Sequence, residues 1–303
     1  MKIVVSGSTG LIGTALLEAL TRRDHTVLPL VRRRPTAGEQ VIAWDPEHGS
    51  IDRAALEGVD AVVHLAGENV FGRWSPAKKH RIRDSRVLGT RLLADTLAGL
   101  KRPPATLLAA SAIGYYGDRG DEELNEQSAP GEDFLAHVSR DWEAATAPAT
   151  RAGIRVVNMR FGVVLTAKHG ALAKMLPAFR LGLGGPIGSG NQYVSWVDLD
   201  DVIGAIVYLL AHGDLVGPVN MTAPAPVSSR EFAQTLGKVL GRPAVVTVPA
   251  FALRMAFGTE GAAMLQSGQR VLPARLLASG FQFARPALEP ALRSLLAPSE
   301  RAR

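Results

Sequence analysis

Along this chain the spacing of apolar residues switches back and forth between two periods. Lys2-Ile3-Val4-Val5-Ser6 is a short, nearly continuous apolar run, the mark of a strand buried on both faces. Leu11, Ile12, Ala15, Leu16, Ala19 and Leu20 then recur at helical spacing. The switch repeats, predicting strands over 26–31, 41–44, 60–65, 106–111 and 154–161. Helices are predicted over 54–57, 75–100 and 134–152, with a polar loop at 117–133. Apolar strands separated by helices imply a parallel sheet covered on both sides. Right-handed crossovers make the class α/β, a doubly wound parallel sheet or Rossmann fold.

Beyond Leu165 the texture changes. Residues 182–190 are Gly-rich loop, 193–197 a short strand and 198–211 a helix. An amphipathic helix follows over 228–240, capped by Ser228 or Ser229. A short strand at 245–248 and several short helices complete the pattern, before a basic tail at Arg301 to Arg303. We read 1–165 as the main domain, with a segment of about 191–222 returning to it. Residues 166–303 are mainly a smaller C-terminal substrate lobe.

The turn between the first strand and the first helix carries chemistry. It reads Gly7-Ser8-Thr9-Gly10-Leu11-Ile12-Gly13. Glycine is needed where φ is unusual and where backbone must approach a phosphate closely. The helix that follows offers free N–H groups and the positive end of its dipole to an anion. The turn therefore predicts a pyrophosphate cradle for a dinucleotide. The tip of the second strand meets the adenosine ribose in such folds, and an acidic residue there would repel a 2′-phosphate. This chain has Val31-Arg32-Arg33-Arg34 instead. Guanidinium pairs with phosphate through planar, bidentate contacts, so NADP(H) is favoured over NAD(H), with Arg32 as the first choice of contact.

Composition narrows the classes. Of 303 residues 47% are apolar, enough for a large core, and cysteine is absent, which removes disulfides and thiolate metal sites. The chain opens on a strand rather than a charged stretch before an apolar signal core, and its apolar runs are too short to span a bilayer. The expectation is a cytoplasmic protein with no membrane partner. The net charge of +6 suits an anionic ligand. Its densest run, Lys78 to Arg83, sits on a helical pattern without interleaved aromatics, so no nucleic-acid partner is expected. Seven histidines show no ligand spacing, and no metal site is expected. No Gly-x-Ser-x-Gly nucleophile elbow follows a strand.

The motifs also resemble a known family. Gly7-x-x-Gly10-x-x-Gly13 and Asp60-x-x-x-His64-Leu65-Ala66-Gly67 are similar to the extended short-chain dehydrogenase/reductase superfamily. Leu65 to Asn69, Arg73-Trp74, Ser85-Arg86, 182–190, Ser195-Trp196-Val197-Asp198 and 217–224 resemble its atypical epimerase family branch, as do Val248 to Ala252 and Leu272 to Leu276 in a C-terminal domain of unknown function. The resemblance implies that Leu65, Ala66 and Gly67 line the nucleotide and that Arg86 faces it. It also implies that Ser111, at the end of the fifth strand, hydrogen-bonds a substrate carbonyl. Members commonly pair through two long helices, here 75–100 and 134–152, so a homodimer is an expectation of the same kind.

One departure matters. Reductases and epimerases of this superfamily use Tyr-x-x-x-Lys on the helix after the fifth strand, the lysine lowering the tyrosine pKa. That helix here reads Phe134-Leu-Ala-His137-Val-Ser139-Arg140-Asp141-Trp142-Glu143, with neither residue. Tyr115 and Tyr116 stand in as candidate acids beside Ser111. Glu68, Asn69, Arg160 and Trp196 are candidate substrate contacts. The expected function is an NADP(H)-dependent oxidoreductase or epimerase-like protein acting on a small polar carbonyl or hydroxyl compound. The alternative is a non-catalytic NADP(H)-binding sensor or scaffold.

Overall fold

Alternating strands and helices appear in the order the apolar pattern predicts. The computed structural model describes residues 1–36 and 38–297, so the basic tail at Arg301 to Arg303 lies outside the described residues. The first third runs β1 (Lys2–Ser6), α1 (Leu11–Thr21), β2 (Thr26–Val31), β3 (Ile42–Asp45), β4 (Ser50–Ile51), α2 (Arg53–Leu56), β5 (Ala61–His64) and α3 (Pro76–Ala98). Then come β6 (Thr106–Ala112), a 3₁₀ turn (Ile113–Tyr116), β7 (Glu123–Leu124), α4 (Phe134–Ala144), α5 (Ala147–Arg151), β8 (Arg155–Phe161), β9 (Val163–Leu165) and α6 (Gly170–Arg180). The last third holds β10 (Tyr193–Val194), β11 (Trp196–Asp198), α7 (Leu199–Ala211), β12 (Gly217–Met221), β13 (Val227–Ser228), α8 (Ser229–Leu240), α9 (Ala250–Gln266), β14 (Arg270–Val271), α10 (Ala274–Ala278) and α11 (Leu288–Leu296).

Eight strands form one sheet in the order β12-β8-β6-β5-β1-β2-β3-β4. Seven are parallel and β4 turns back against β3. The strand order reverses direction beside β1, between β5 and β2, which opens a crevice at the carboxyl ends of the strands. Strands such as Ala61-Val62-Val63-His64 are fully buried because helices cover both faces. On one face Ile3, Val5 and Val63 pack against Leu16 and Leu20 of α1 and Val202 and Ile206 of α7. On the other Val4, Val62 and Leu107 meet Leu93 and Leu97 of α3. Ser75 caps α3, its hydroxyl accepting from Lys78 N–H, and Pro76 follows at the first turn, where a missing N–H does no harm.

Local chemistry explains where the expected boundaries shift. The helix expected over 134–152 breaks after Ala144, where the Thr146 hydroxyl turns back onto the Glu143 carbonyl at 2.7 Å and Pro148 lacks an N–H. Ser228 is the cap of α8, in a reciprocal capping box with Glu231. The strand expected over 245–248 reduces to a single bridge between Ile187 and Val248. The polar loop 117–133 contains β7, whose partner is β14, 147 residues later. That ladder ties the C-terminal segment to the end of β6. Among the described residues no helix is long and apolar enough to cross a membrane.

Candidate functional site

Residue size decides the shape of the first turn. Gly7 has φ +66°, and a Cβ there would lie 2.8 Å from the Leu65 carbonyl; at Gly13 it would lie 2.1 Å from the Gly7 carbonyl oxygen. Both obstacles are backbone, so no rotamer change relieves them. Gly10 donates to the Gly7 carbonyl at 2.9 Å and caps α1 without a side chain. The N–H groups of Leu11, Ile12 and Gly13 have no protein acceptor among the described residues. Ser8 is half-buried and Thr9 exposed beside them. The result is an open nest of donors at a helix start, shaped for an anion.

A buried relay holds the wall of this nest. Ser6 Oγ accepts from the N–H groups of Leu65 (3.0 Å) and Ala66 (3.2 Å) and lies 2.6 Å from His64 Nδ1. With two donors already on its oxygen, Ser6 gives its one proton to Nδ1. Neutral His64 then carries its proton on Nε2, which donates to Thr90 Oγ1 at 3.0 Å. Trp142 Nε1 donates to the same hydroxyl at 2.9 Å. Burial alone pulls the His64 pKa down to about 4, because the apolar surroundings disfavour its cation.

Arg86 braces the wall. Its Nη1 donates to the carbonyls of Glu68 and Ile82, each at 3.0 Å, and its guanidinium lies 4.9 Å from the Trp142 ring centre. A Cβ on Gly67 would come within 3.4 Å of it. Burial lowers the Arg86 pKa to about 10, against the pull of Glu68. Glu68 is itself held by Lys78 Nζ (2.6 Å) and Arg81 (3.8 Å), and Asn69 Oδ1 accepts from Phe71 N–H at 2.9 Å. At the far rim Val31 closes β2, and Arg32 stands exposed with no ion pair among the described residues. Arg33 is paired with Glu39.

The carboxyl end of β6 holds a second, buried polar group. Ser111 donates to Glu143 Oε1 at 2.7 Å. Arg160, from the next strand β8, clamps the same carboxylate through Nε (2.7 Å) and Nη2 (2.9 Å). Its Nη1 donates to the Tyr116 hydroxyl at 2.9 Å, which in turn donates to Asn220 Oδ1 at 2.7 Å. Asn220 Nδ2 donates to the Leu272 carbonyl, and Asn220 N–H to Glu126 Oε1. Burial opposes the charge on Arg160, yet Glu143 and Tyr116 more than restore it. Burial pushes the Tyr116 hydroxyl up to about 12, with Arg160 pulling the other way.

These contacts redistribute the expected roles. Tyr116 is 0% exposed, with its hydroxyl engaged on both sides, so it sits in the support of the site rather than on its surface. Arg160 has its guanidinium spent on Glu143 and Tyr116. Trp196 is also 0% exposed; its indole N–H reaches the Ala225 carbonyl at 2.9 Å and its ring packs with Leu172, Phe179 and Leu236. Tyr115 is half-buried with its ring 3.5 Å from the Arg160 guanidinium. Glu143, Asn220 and Glu126 did not emerge as site residues from the sequence. An arginine inside the apolar strand Val156 to Phe161 was the available signal, because a buried guanidinium demands a buried acid.

Comparison with known proteins agrees with this geometry. The model of the NAD dependent epimerase/dehydratase family matches residues 3–221, and a domain of unknown function, DUF1731, matches 248–295. An epimerase family protein of Mycobacterium bovis is 46% identical over 282 residues, covering 93% of both chains. The human epimerase family protein SDR39U1 is 39% identical over 98% of this chain and 100% of its own. A crystal structure of the human protein with NADPH superposes with a TM-score of 0.89 at 37% identity, covering 97% of this chain and 99% of that one.

Proposed function

Because this chain belongs to the NAD dependent epimerase/dehydratase family, we propose that it is an NADP(H)-dependent oxidoreductase or epimerase-like protein. Its substrate is a small polar molecule that reacts at a carbonyl or hydroxyl carbon. The observation that carries this reading is the glycine nest, with three unpartnered N–H groups and no room for a single Cβ at Gly13. The human relative crystallised with NADPH supports the choice of nucleotide.

In this reading the turn from Gly7 to Gly13 holds the pyrophosphate, through the free N–H groups of Leu11, Ile12 and Gly13. Arg32 takes the 2′-phosphate beside Val31, and Leu65, Ala66 and Gly67 form the wall that Arg86 braces. The cofactor, when bound, supplies a hydride donor or acceptor. Ser111 and Tyr115 face the substrate, with Glu68 and Asn69 at the rim. Ser111 has given its one proton to Glu143, and Glu143 is ion-paired with Arg160. The Ser111 oxygen therefore offers only lone pairs, which suit a substrate hydroxyl better than a carbonyl. The Tyr115 hydroxyl has no hydrogen-bond partner among the described residues and is the group free to exchange a proton.

Calorimetric titration tests the reading. Wild-type protein binds NADPH more tightly than NADH, and Arg32→Ala loses about tenfold or more for NADPH, the scale of one charged hydrogen bond, with NADH unchanged. Equal affinities would remove the role of Arg32; no heat with either nucleotide from folded protein would remove the cofactor.

A second reading rests on α4, which carries neither tyrosine nor lysine. With Tyr116 locked in internal contacts and no lysine beside Tyr115, the fold also suits a protein that binds NADP(H) without turnover. NADPH oxidation across a panel of aldehydes and ketones separates the two. Turnover that Tyr115→Phe abolishes supports the enzyme, and tight binding without oxidation supports the sensor.

A further inference from the structure

Just past the tip of β2 the chain bends so that Glu39 returns to the residues it has just left. Its carboxylate takes four donors. Arg33 Nη1 reaches Oε2 at 2.7 Å, Thr36 N–H at 3.1 Å and Thr36 Oγ1 at 3.0 Å, while Arg33 Nη2 pairs with Oε1. A guanidinium fork, a backbone N–H and a hydroxyl converging on one anion is the donor set that phosphoryl oxygens seek. Burial does not explain the arrangement, since the Arg33 side chain is 54% exposed and exposed ion pairs add little to a fold. Its location does: this is the end of the second strand, where the ribose 2′ position falls in a doubly wound sheet.

We propose that Arg33 and Thr36 form a phosphate receptor in which Glu39 is a stand-in for the 2′-phosphate, so that Glu39 sets the balance between NADPH and NADH. The proposal rests on the cofactor reading above. A 2′-phosphate carries more charge than a carboxylate and displaces Glu39 from Arg33, with Arg32 completing the clamp. A nucleotide without that phosphate leaves Glu39 in place and the receptor shut. Glu39 therefore lowers affinity for the phosphorylated cofactor selectively, and its effect acts through Arg33.

The test is calorimetry with NADPH, NADH and 2′,5′-ADP on the full chain, with melting curves to confirm that each variant folds. Glu39→Gln tightens NADPH and 2′,5′-ADP by about two- to fivefold, the scale of an exposed ion pair, and leaves NADH unchanged. Arg33→Ala weakens NADPH, and in that background Glu39→Gln brings no gain. Unchanged or weakened NADPH binding in Glu39→Gln overturns the proposal. So does a loss of NADH affinity in that variant, which would make Glu39 the acid on the ribose hydroxyl. If wild-type protein binds no nucleotide, the cofactor reading falls and takes the receptor with it; if only the Glu39 effects fail, the cofactor reading stands.

Discussion

Removing Glu143 would leave a buried guanidinium with nothing to neutralise it. The Arg160 side chain is 3% exposed and that of Glu143 13%. Their two hydrogen bonds, together with the one from Ser111, give the carboxylate three donors. In Glu143→Met, Arg160 keeps only the Tyr116 hydroxyl, and Ser111 loses its acceptor. Breaking one side of such a pair costs about 3–5 kcal/mol; the slight solvent access of Glu143 puts this case near the lower end, about 3 kcal/mol. An unfolding entropy of about 2.1 cal/mol/K per residue converts that to a fall in Tm of about 5 °C for a chain of this length. Removing both charges, in Glu143→Met with Arg160→Met, leaves no orphan ion and restores much of the loss. Thermal and urea denaturation followed by circular dichroism read both numbers. A single-variant loss below about 1 kcal/mol, or a double variant as unstable as the sum of the singles, would refute the claim that this pair is a buried, mutually dependent unit.

Two further outcomes follow from the nest and its wall. Gly13→Ala forces a methyl to within 2.1 Å of the Gly7 oxygen; a loss of about 1–3 kcal/mol is expected from overpacking, with NADPH binding abolished, and wild-type affinity in a melting and titration series would contradict the nest. Neutral His64, with its pKa near 4 in the folded chain and near 6.5 unfolded, stabilises the protein fully above pH 6.5. As pH falls from 6.5 to 4 the unfolded chain takes up a proton that the native one refuses, so about 3 kcal/mol is lost, and the loss levels off below pH 4. Urea titrations from pH 7 to pH 4 should show that slope flattened in His64→Gln relative to wild type; parallel slopes would sink the assignment.

Periodicity carried most of the scaffold, because parallel strands buried on both faces are written as uninterrupted apolar runs. β1 and β2 fall within the limits expected from their residues alone. What the pattern missed was made by distant contacts. β7 and β14 are two residues each and exist because they pair with one another. Helix α6 was hidden by Gly170 at its start and Pro177 inside it. Neighbouring tyrosines could not be told apart by type. The 3₁₀ turn sets their rings 82° apart, which sends Tyr116 inward to Asn220 and leaves Tyr115 over Arg160. Trp196 lay beside motif residues in sequence, but β11 pairs with β9 and aims its ring into the core.

The placement of charge explains how a chain without the usual tyrosine and lysine keeps an ordered site. A lysine on α4 would have been a mobile cation able to pull down the pKa of a neighbouring phenol. Here the cation comes from β8, fixed in the sheet as Arg160 and neutralised by Glu143 from α4 itself. That pair contributes no net charge to the end of the crevice beside Ser111. Through Tyr116 and Asn220 it is joined to Leu272, where the C-terminal segment crosses. Arg32, just past β2, and the free N–H groups at the start of α1 have no ion pair or acceptor among the described residues. Under the proposed cofactor reading that positive charge favours the phosphates of the nucleotide, and the end beside Ser111 is left to hydrogen-bond polarity, where a hydroxyl donor fits the Ser111 oxygen.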